Sequence, residues 1–120
     1  FLGLVNEEQL INVYQAADVY VSTSVEDSGP FMINQSMMCG TPVVSFEIGV
    51  SLDLVQTSKT GYCARLKDSV DIAKGLKYIL DLEEKDYNIM SQNCRRLGIE
   101  YCHPQKQVNK ILKAFQGNLN

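Results

Sequence analysis

Apolar and polar residues along this chain follow two periods, one near 3.6 residues and one near 2, and the switches between them mark out its elements. Leu10, Val13, Tyr14 and Ala17 recur at helical spacing. Asn6 ahead of Glu7-Glu8-Gln9 supplies an N-cap with a capping-box glutamine, so a helix is predicted over residues 7–16. The β-branched and aromatic run Asp18-Val19-Tyr20-Val21-Ser22, bounded by polar Ser22-Thr23-Ser24, predicts a buried strand. After the loop Glu26-Asp27-Ser28-Gly29, Pro30 suits a first helical position, where its missing N–H has no intrahelical partner. The helix it opens carries Phe31, Met32, Ile33, Met37, Met38 and Cys39, an apolar surface wide enough to predict a largely buried helix, and Gly40 closes it as a left-handed cap.

A second strand is predicted at Thr41-Pro42-Val43-Val44-Ser45-Phe46, its proline placed where no ladder bond is lost. Gly49 marks a turn, Leu52 to Val55 a short helix or turn, and Tyr62-Cys63-Ala64 a small strand after Gly61. Asp68-Ser69-Val70-Asp71 reads as a capped start, and Ile72, Ala73, Leu76, Ile79, Leu80 and Leu82 trace a helix to about residue 82. Two further helices are predicted near 84–98 and 104–116, separated by Tyr101-Cys102-His103-Pro104. Strands alternating with helices imply βαβ crossovers. The expected fold is therefore α/β, a partial Rossmann-like parallel sheet with helices on both faces, formed by residues 1–120 as a single domain. Such sheets bind ligands at the carboxyl ends of their strands. Here that rim comprises Ser22 to Gly29 and Glu47 to Ser51. The opening Phe1-Leu2-Gly3-Leu4-Val5 reads as the tail of a strand, which leads us to expect a natural protein that continues upstream.

Composition narrows the partners. With 120 residues, 45% hydrophobic and 21% charged, the chain is of ordinary globular composition. Eleven basic and fourteen acidic residues leave a net charge of -3 without a Lys/Arg cluster to follow a phosphate backbone, so nucleic acid is not an expected partner. Its longest apolar stretches fall far below the roughly 20 residues that span a bilayer. Cys39, Cys63, Cys94 and Cys102 form no C-x-x-C pair, and His103 is the one histidine available to them, so no metal site is expected. We expect four reduced thiols, at least two of them buried, in a cytoplasmic protein, with membrane association left open for the full-length form. Met32, Met37 and Met38 are read as packing residues, and His103 lies away from the strand ends.

The chemistry concentrates where the first strand hands over to the second helix. Glu26, Asp27, Ser28 and Gly29 lead into a helix start whose N–H groups lack partners and whose dipole presents partial positive charge, which makes an anion site around Gly29, Pro30, Phe31, Met32 and Ile33. Gln35 follows about 7.5 Å along the helix axis, and its amide can both donate to and accept from a diol. The spacing alone equally allows Glu26 and Asp27 to be helix caps and Gln35 to lie on an exposed stripe.

The segment from Ser24 to Val44 resembles the donor-site signature of the retaining GT-B glycosyltransferases. In that family a glutamate is followed eight residues later by a second, then by a short helix end and Gly-Thr-Pro-Val-Val. Asp18-Val19-Tyr20-Val21 before the segment, and Gly49, Asp53-Leu54-Val55 and Gly61 after it, also match, and the resemblance covers roughly residues 1 to 82. It implies the nucleotide-sugar-binding part of a C-terminal GT-B domain, truncated at its N-terminus.

The resemblance implies a nucleotide diphosphate sugar as donor, no metal or other cofactor, and a glycan or lipid-linked acceptor bound through an N-terminal domain outside this chain. Glu26 and Asp27 become the candidates for the catalytic, sugar-side acid. Ser28 to Ile33 and Gln35 become donor-binding residues. The family's second glutamate is Gln35 here, and eight residues earlier stands Asp27, so spacing favours Asp27 and residue type favours Glu26. An amide at Gln35 gives up a charge-assisted bond to the ribose. The family's upstream Gly-Arg and Lys/Arg residues have no counterpart among these 120 residues, so the isolated chain is expected to be inactive. A non-catalytic nucleotide-sugar-binding module, or another GT-B enzyme such as an epimerase or phosphorylase, is the competing reading. The last helix, with Val108, Ile111, Leu112 and Phe115, either crosses to a further domain, as final helices do in that family, or packs at home.

Overall fold

The computed structural model describes residues 1–26 and 31–117. Its elements are α1 (Glu7–Ala16), β1 (Tyr20–Ser22), α2 (Phe31–Met38), β2 (Val43–Phe46), α3 (Ser51–Leu54), β3 (Gly61–Ala64), α4 (Ser69–Leu80), α5 (Glu84–Cys102) and α6 (Pro104–Gly117). The local signals act as expected at several starts. Asn6 accepts from the Gln9 N–H while the Gln9 side chain accepts from the Asn6 N–H, a complete capping box. Asp68 caps α4 by accepting from the Asp71 N–H. Gly40 follows α2 at φ 80°, where a side chain would be strained.

The three strands are parallel in the order β1-β2-β3, with Tyr20 beside Val43, Ser22 beside Ser45, and Val43 in turn beside Gly61. That last pairing depends on glycine, because a Cβ at position 61 would lie 1.8 Å from the Val43 carbonyl oxygen. All four β2 residues are buried, as befits a central strand covered on both faces. Side chains alternate across the sheet. Tyr62 faces α4, touching the space over Gly75 and bonding Asp71, while Tyr20, Ser22 and Ser45 turn toward the first turn of α2.

Helix α5 decides which end of the sheet is open. Tyr87 donates to the Asp18 carbonyl ahead of β1 at 2.9 Å. Ser91 donates to the Gly40 carbonyl ahead of β2 at 2.6 Å, and the Cys94 thiol donates to the Thr60 carbonyl ahead of β3 at 3.0 Å. One helix thus runs across the amino ends of all three strands and satisfies a carbonyl at each. Arg95 adds a bond to the Met38 carbonyl at 2.7 Å, completing the C-terminus of α2.

Four expectations change. Strand β1, expected to be buried, is half-buried at the edge of the sheet. Helix α5 continues to Cys102 rather than ending near residue 98, because Gly98 is the point of close approach to Met37 and Met38 of α2 and belongs within the packed helix. Helix α2 is not largely buried: Phe31 is 72% exposed and Met32 49%, and its core contacts come from Ile33, Ser36 and Met37. Of the thiols, Cys94 is buried, whereas Cys39, Cys63 and Cys102 are half-buried. Helix α6 meets α5 near their junction, where Lys106 pairs with Glu100 and Lys110 lies over the Tyr101 ring, and it leaves Val108, Ile111, Leu112 and Phe115 exposed. No described helix is long and apolar enough to cross a membrane.

Candidate functional site

With α5 running across the amino ends, the carboxyl ends of β1 and β2 are left open. A cavity of about 120 Å³ opens there. That is several times the roughly 10–15 Å³ that one water requires, so it admits a small polar group. Tyr20 and Ser22 of β1 and Ser45 and Phe46 of β2 form its floor, Ser24 and Ile48 come from the loops that follow, and Ser51 opens α3. Phe31, Met32 and Ile33, the first turn of α2, form its wall. A helix start facing strand carboxyl ends combines unpaired N–H groups with the positive end of the dipole, the arrangement that favours an anion.

The expected rim is therefore present at Ser22, Ser24, Ile48 and Ser51, and three of the expected donor-binding residues, Phe31, Met32 and Ile33, line the same space. Glu26 is exposed just beyond β1. Asp27, Ser28, Gly29 and Pro30 lie outside the described residues. The stretch Gly49-Val50-Ser51 offers fewer backbone donors than its glycine suggests, since the Ser51 N–H is taken by the Ile48 carbonyl at 3.0 Å. Tyr20 and Ser45 were not singled out from the sequence. The signal was available in the alternation, which puts every second residue of paired strands on one face.

Gln35 occupies a different concavity. It lies on the α1 side of α2, in a groove with Glu7, Leu10, Tyr14 and Arg95, and the Tyr14 hydroxyl donates toward Gln35 Oε1 at 3.5 Å, the outer limit of a hydrogen bond. Burial first, then the neighbouring Tyr20 and Cys39, push the Tyr14 hydroxyl up to about 12, so it stays protonated and acts as a donor. Tyr14 is fixed from two further sides. Its ring meets Tyr20 edge-on at 5.8 Å, and its carbonyl accepts from Thr41 Oγ1 at 2.5 Å.

Among the basic side chains, Arg65 stands at the carboxyl end of β3, but it is already engaged. It pairs with Asp68 at 2.8 Å and lies 3.7 Å from Asp71. Asp71 also accepts from the Arg65 N–H and from the Tyr62 hydroxyl, each at 2.8 Å, and these bonds hold its carboxyl below the usual range. This cluster ties β3 to α4 rather than opening onto the cavity.

Comparison with known proteins gives the family and the fold. The chain is 30% identical over 104 residues to the UDP-Gal:alpha-D-GlcNAc-diphosphoundecaprenol alpha-1,3-galactosyltransferase of Escherichia coli, covering 87% of this chain and 26% of that protein. It is 31% identical over 115 residues to the D-inositol 3-phosphate glycosyltransferase of Geodermatophilus obscurus, covering 96% of this chain and 24% of that protein. It thus spans about a quarter of the length of these relatives. Sucrose-phosphate synthase from Thermosynechococcus elongatus shares the fold, with a TM-score of 0.82 at 22% identity over 99% of this chain and 30% of that one. The family model described as glycosyl transferases group 1 matches residues 1–97. The chain belongs to the glycosyl transferases group 1 family, with the Rossmann-like arrangement of a GT-B domain.

Proposed function

We propose that this chain is the donor-binding part of a retaining glycosyltransferase, which transfers a sugar from a nucleotide diphosphate to a glycan or lipid-linked acceptor without a resident metal. The observation that carries this reading is the cavity walled by the first turn of α2 at the carboxyl ends of β1 and β2, in a chain of this family. The first turn of α2 faces the diphosphate and stabilises the charge that grows as the leaving group departs. Gln35, one turn further along, holds the ribose on the α1 side, and Glu26 or Asp27 meets the sugar hydroxyls. The acceptor binds to a domain outside these 120 residues, so the chain alone binds the donor and does not turn it over. We place the full protein in the cytoplasm, where nucleotide sugars are available.

Titration of the chain with uridine, guanosine and adenosine diphosphates, followed by backbone amide shifts, tests the reading. The expected response centres on residues 26–35. Responses confined to α4 or α6 would remove the anion site, and turnover of a nucleotide sugar by the chain alone would refute the division of labour.

A further inference from the structure

We infer that Ser45 is a ligand-binding residue of the strand-end cavity, its hydroxyl bonding an oxygen of the donor's diphosphate–sugar portion. The inference rests on the donor-site reading above and assigns it a residue outside the signature segment's acids and helix start.

Ser45 is 1% exposed, yet its Oγ has no hydrogen-bond partner among the described residues. Three other buried hydroxyls are satisfied by the backbone: Ser36 Oγ donates to the Thr41 carbonyl, Thr41 Oγ1 to the Tyr14 carbonyl and Thr60 Oγ1 to the Leu54 carbonyl. A buried hydroxyl that gives up its water bonds without replacement is unfavourable, and native interiors rarely keep one. The rest of β2, Val43, Val44 and Phe46, is apolar, so packing alone calls for an apolar residue at position 45. The position of the hydroxyl explains the exception. Ser45 lines the cavity beside its register partner Ser22, opposite Phe31, Met32 and Ile33 of α2. A ligand oxygen drawn to the positive start of α2 comes within the space that Ser45 faces, and the hydroxyl, being both donor and acceptor, serves either a phosphoryl oxygen or a sugar hydroxyl.

The test compares unsubstituted chain, Ser45→Ala and Ser45→Thr by calorimetric titration with uridine, guanosine and adenosine diphosphates and with UDP-glucose and GDP-mannose. Because Ser45 Oγ bonds none of the described residues, Ser45→Ala should keep its melting temperature while binding about tenfold more weakly. Ser45→Thr, which keeps the hydroxyl, should recover most of the affinity. A loss seen with the diphosphates themselves places the bond on phosphate, and a loss seen only with the sugar conjugates places it on the sugar. Unchanged affinity of Ser45→Ala for all of them overturns the inference while the donor site stands. Absence of any binding by the unsubstituted chain overturns both. Amide shifts supply a readout independent of any variant: Ser45 should move on titration, and a Ser45 signal that stays in place while Phe31 to Ile33 move also overturns it.

Discussion

The Tyr14 hydroxyl reaches Gln35 Oε1 across 3.5 Å, linking α1 to the flank of α2 where the family signature has an acid. Because Tyr14 remains protonated, it can donate equally well to a carboxylate at position 35. Replacing Gln35 with Glu in the full-length protein should therefore preserve donor affinity or raise it by up to about tenfold, since a bond to a charged acceptor is the stronger one. Calorimetry with the natural donor checks this. Complete loss of binding would show that the neutral amide is required.

Gly98 sets how closely α5 approaches α2. A Cβ there would lie 2.9 Å from the Met38 nitrogen and 3.1 Å from the Met37 carbonyl carbon, and backbone cannot swing aside as a side chain can. Gly98→Ala should cost about 1–3 kcal/mol in stability through overpacking. Denaturant melts measure it. The same variant should bind the donor more weakly, because α2 is displaced at its C-terminal end.

Asp71 gives stability a defined acid limb. Its folded-state value is depressed chiefly by the bonds from the Arg65 N–H and the Tyr62 hydroxyl, so its contribution is fully present above the unfolded value of about 4 and is lost as pH falls through the lower folded value. Thermal melts of the wild type and of Asp71→Asn should differ most near neutral pH and converge from about pH 4 downward. A constant gap across that range would mean that the carboxylate charge plays no part.

Cys94 is fully buried and its thiol, pushed up to about 12 by burial, donates to the Thr60 carbonyl. A thiol reagent at about pH 8 should modify Cys39, Cys63 and Cys102 in the native protein and reach Cys94 only on unfolding. Mass mapping of the labelled sites checks it, and rapid native labelling of Cys94 would contradict the packing of α5 on the strand starts.

Most elements could be read from the sequence because their causes are local. The Asn6–Gln9 capping box, the Asp68 cap and the Gly40 terminus each act within a few residues, and strand alternation needs no distant partner. The signature segment likewise located the start of α2 at the strand ends, where Phe31 to Ile33 do line a cavity. The apolar content of α2 overstates its burial, because composition does not say whether another element arrives to cover Phe31 and Met32.

What lay beyond the sequence depends on contacts between residues far apart in the chain. The bonds from Tyr87 to Asp18, Ser91 to Gly40 and Cys94 to Thr60 join positions 69, 51 and 34 residues apart. None has a local signature, yet together they cover one end of the sheet and leave the cavity at the other. The separation of Gln35 from the strand-end cavity, and a Ser45 hydroxyl with no partner among the described residues, follow from the same long-range packing. Local chemistry specifies which segments are helix or strand; only their assembly decides which polar atoms are satisfied by the protein and which are left to meet something else.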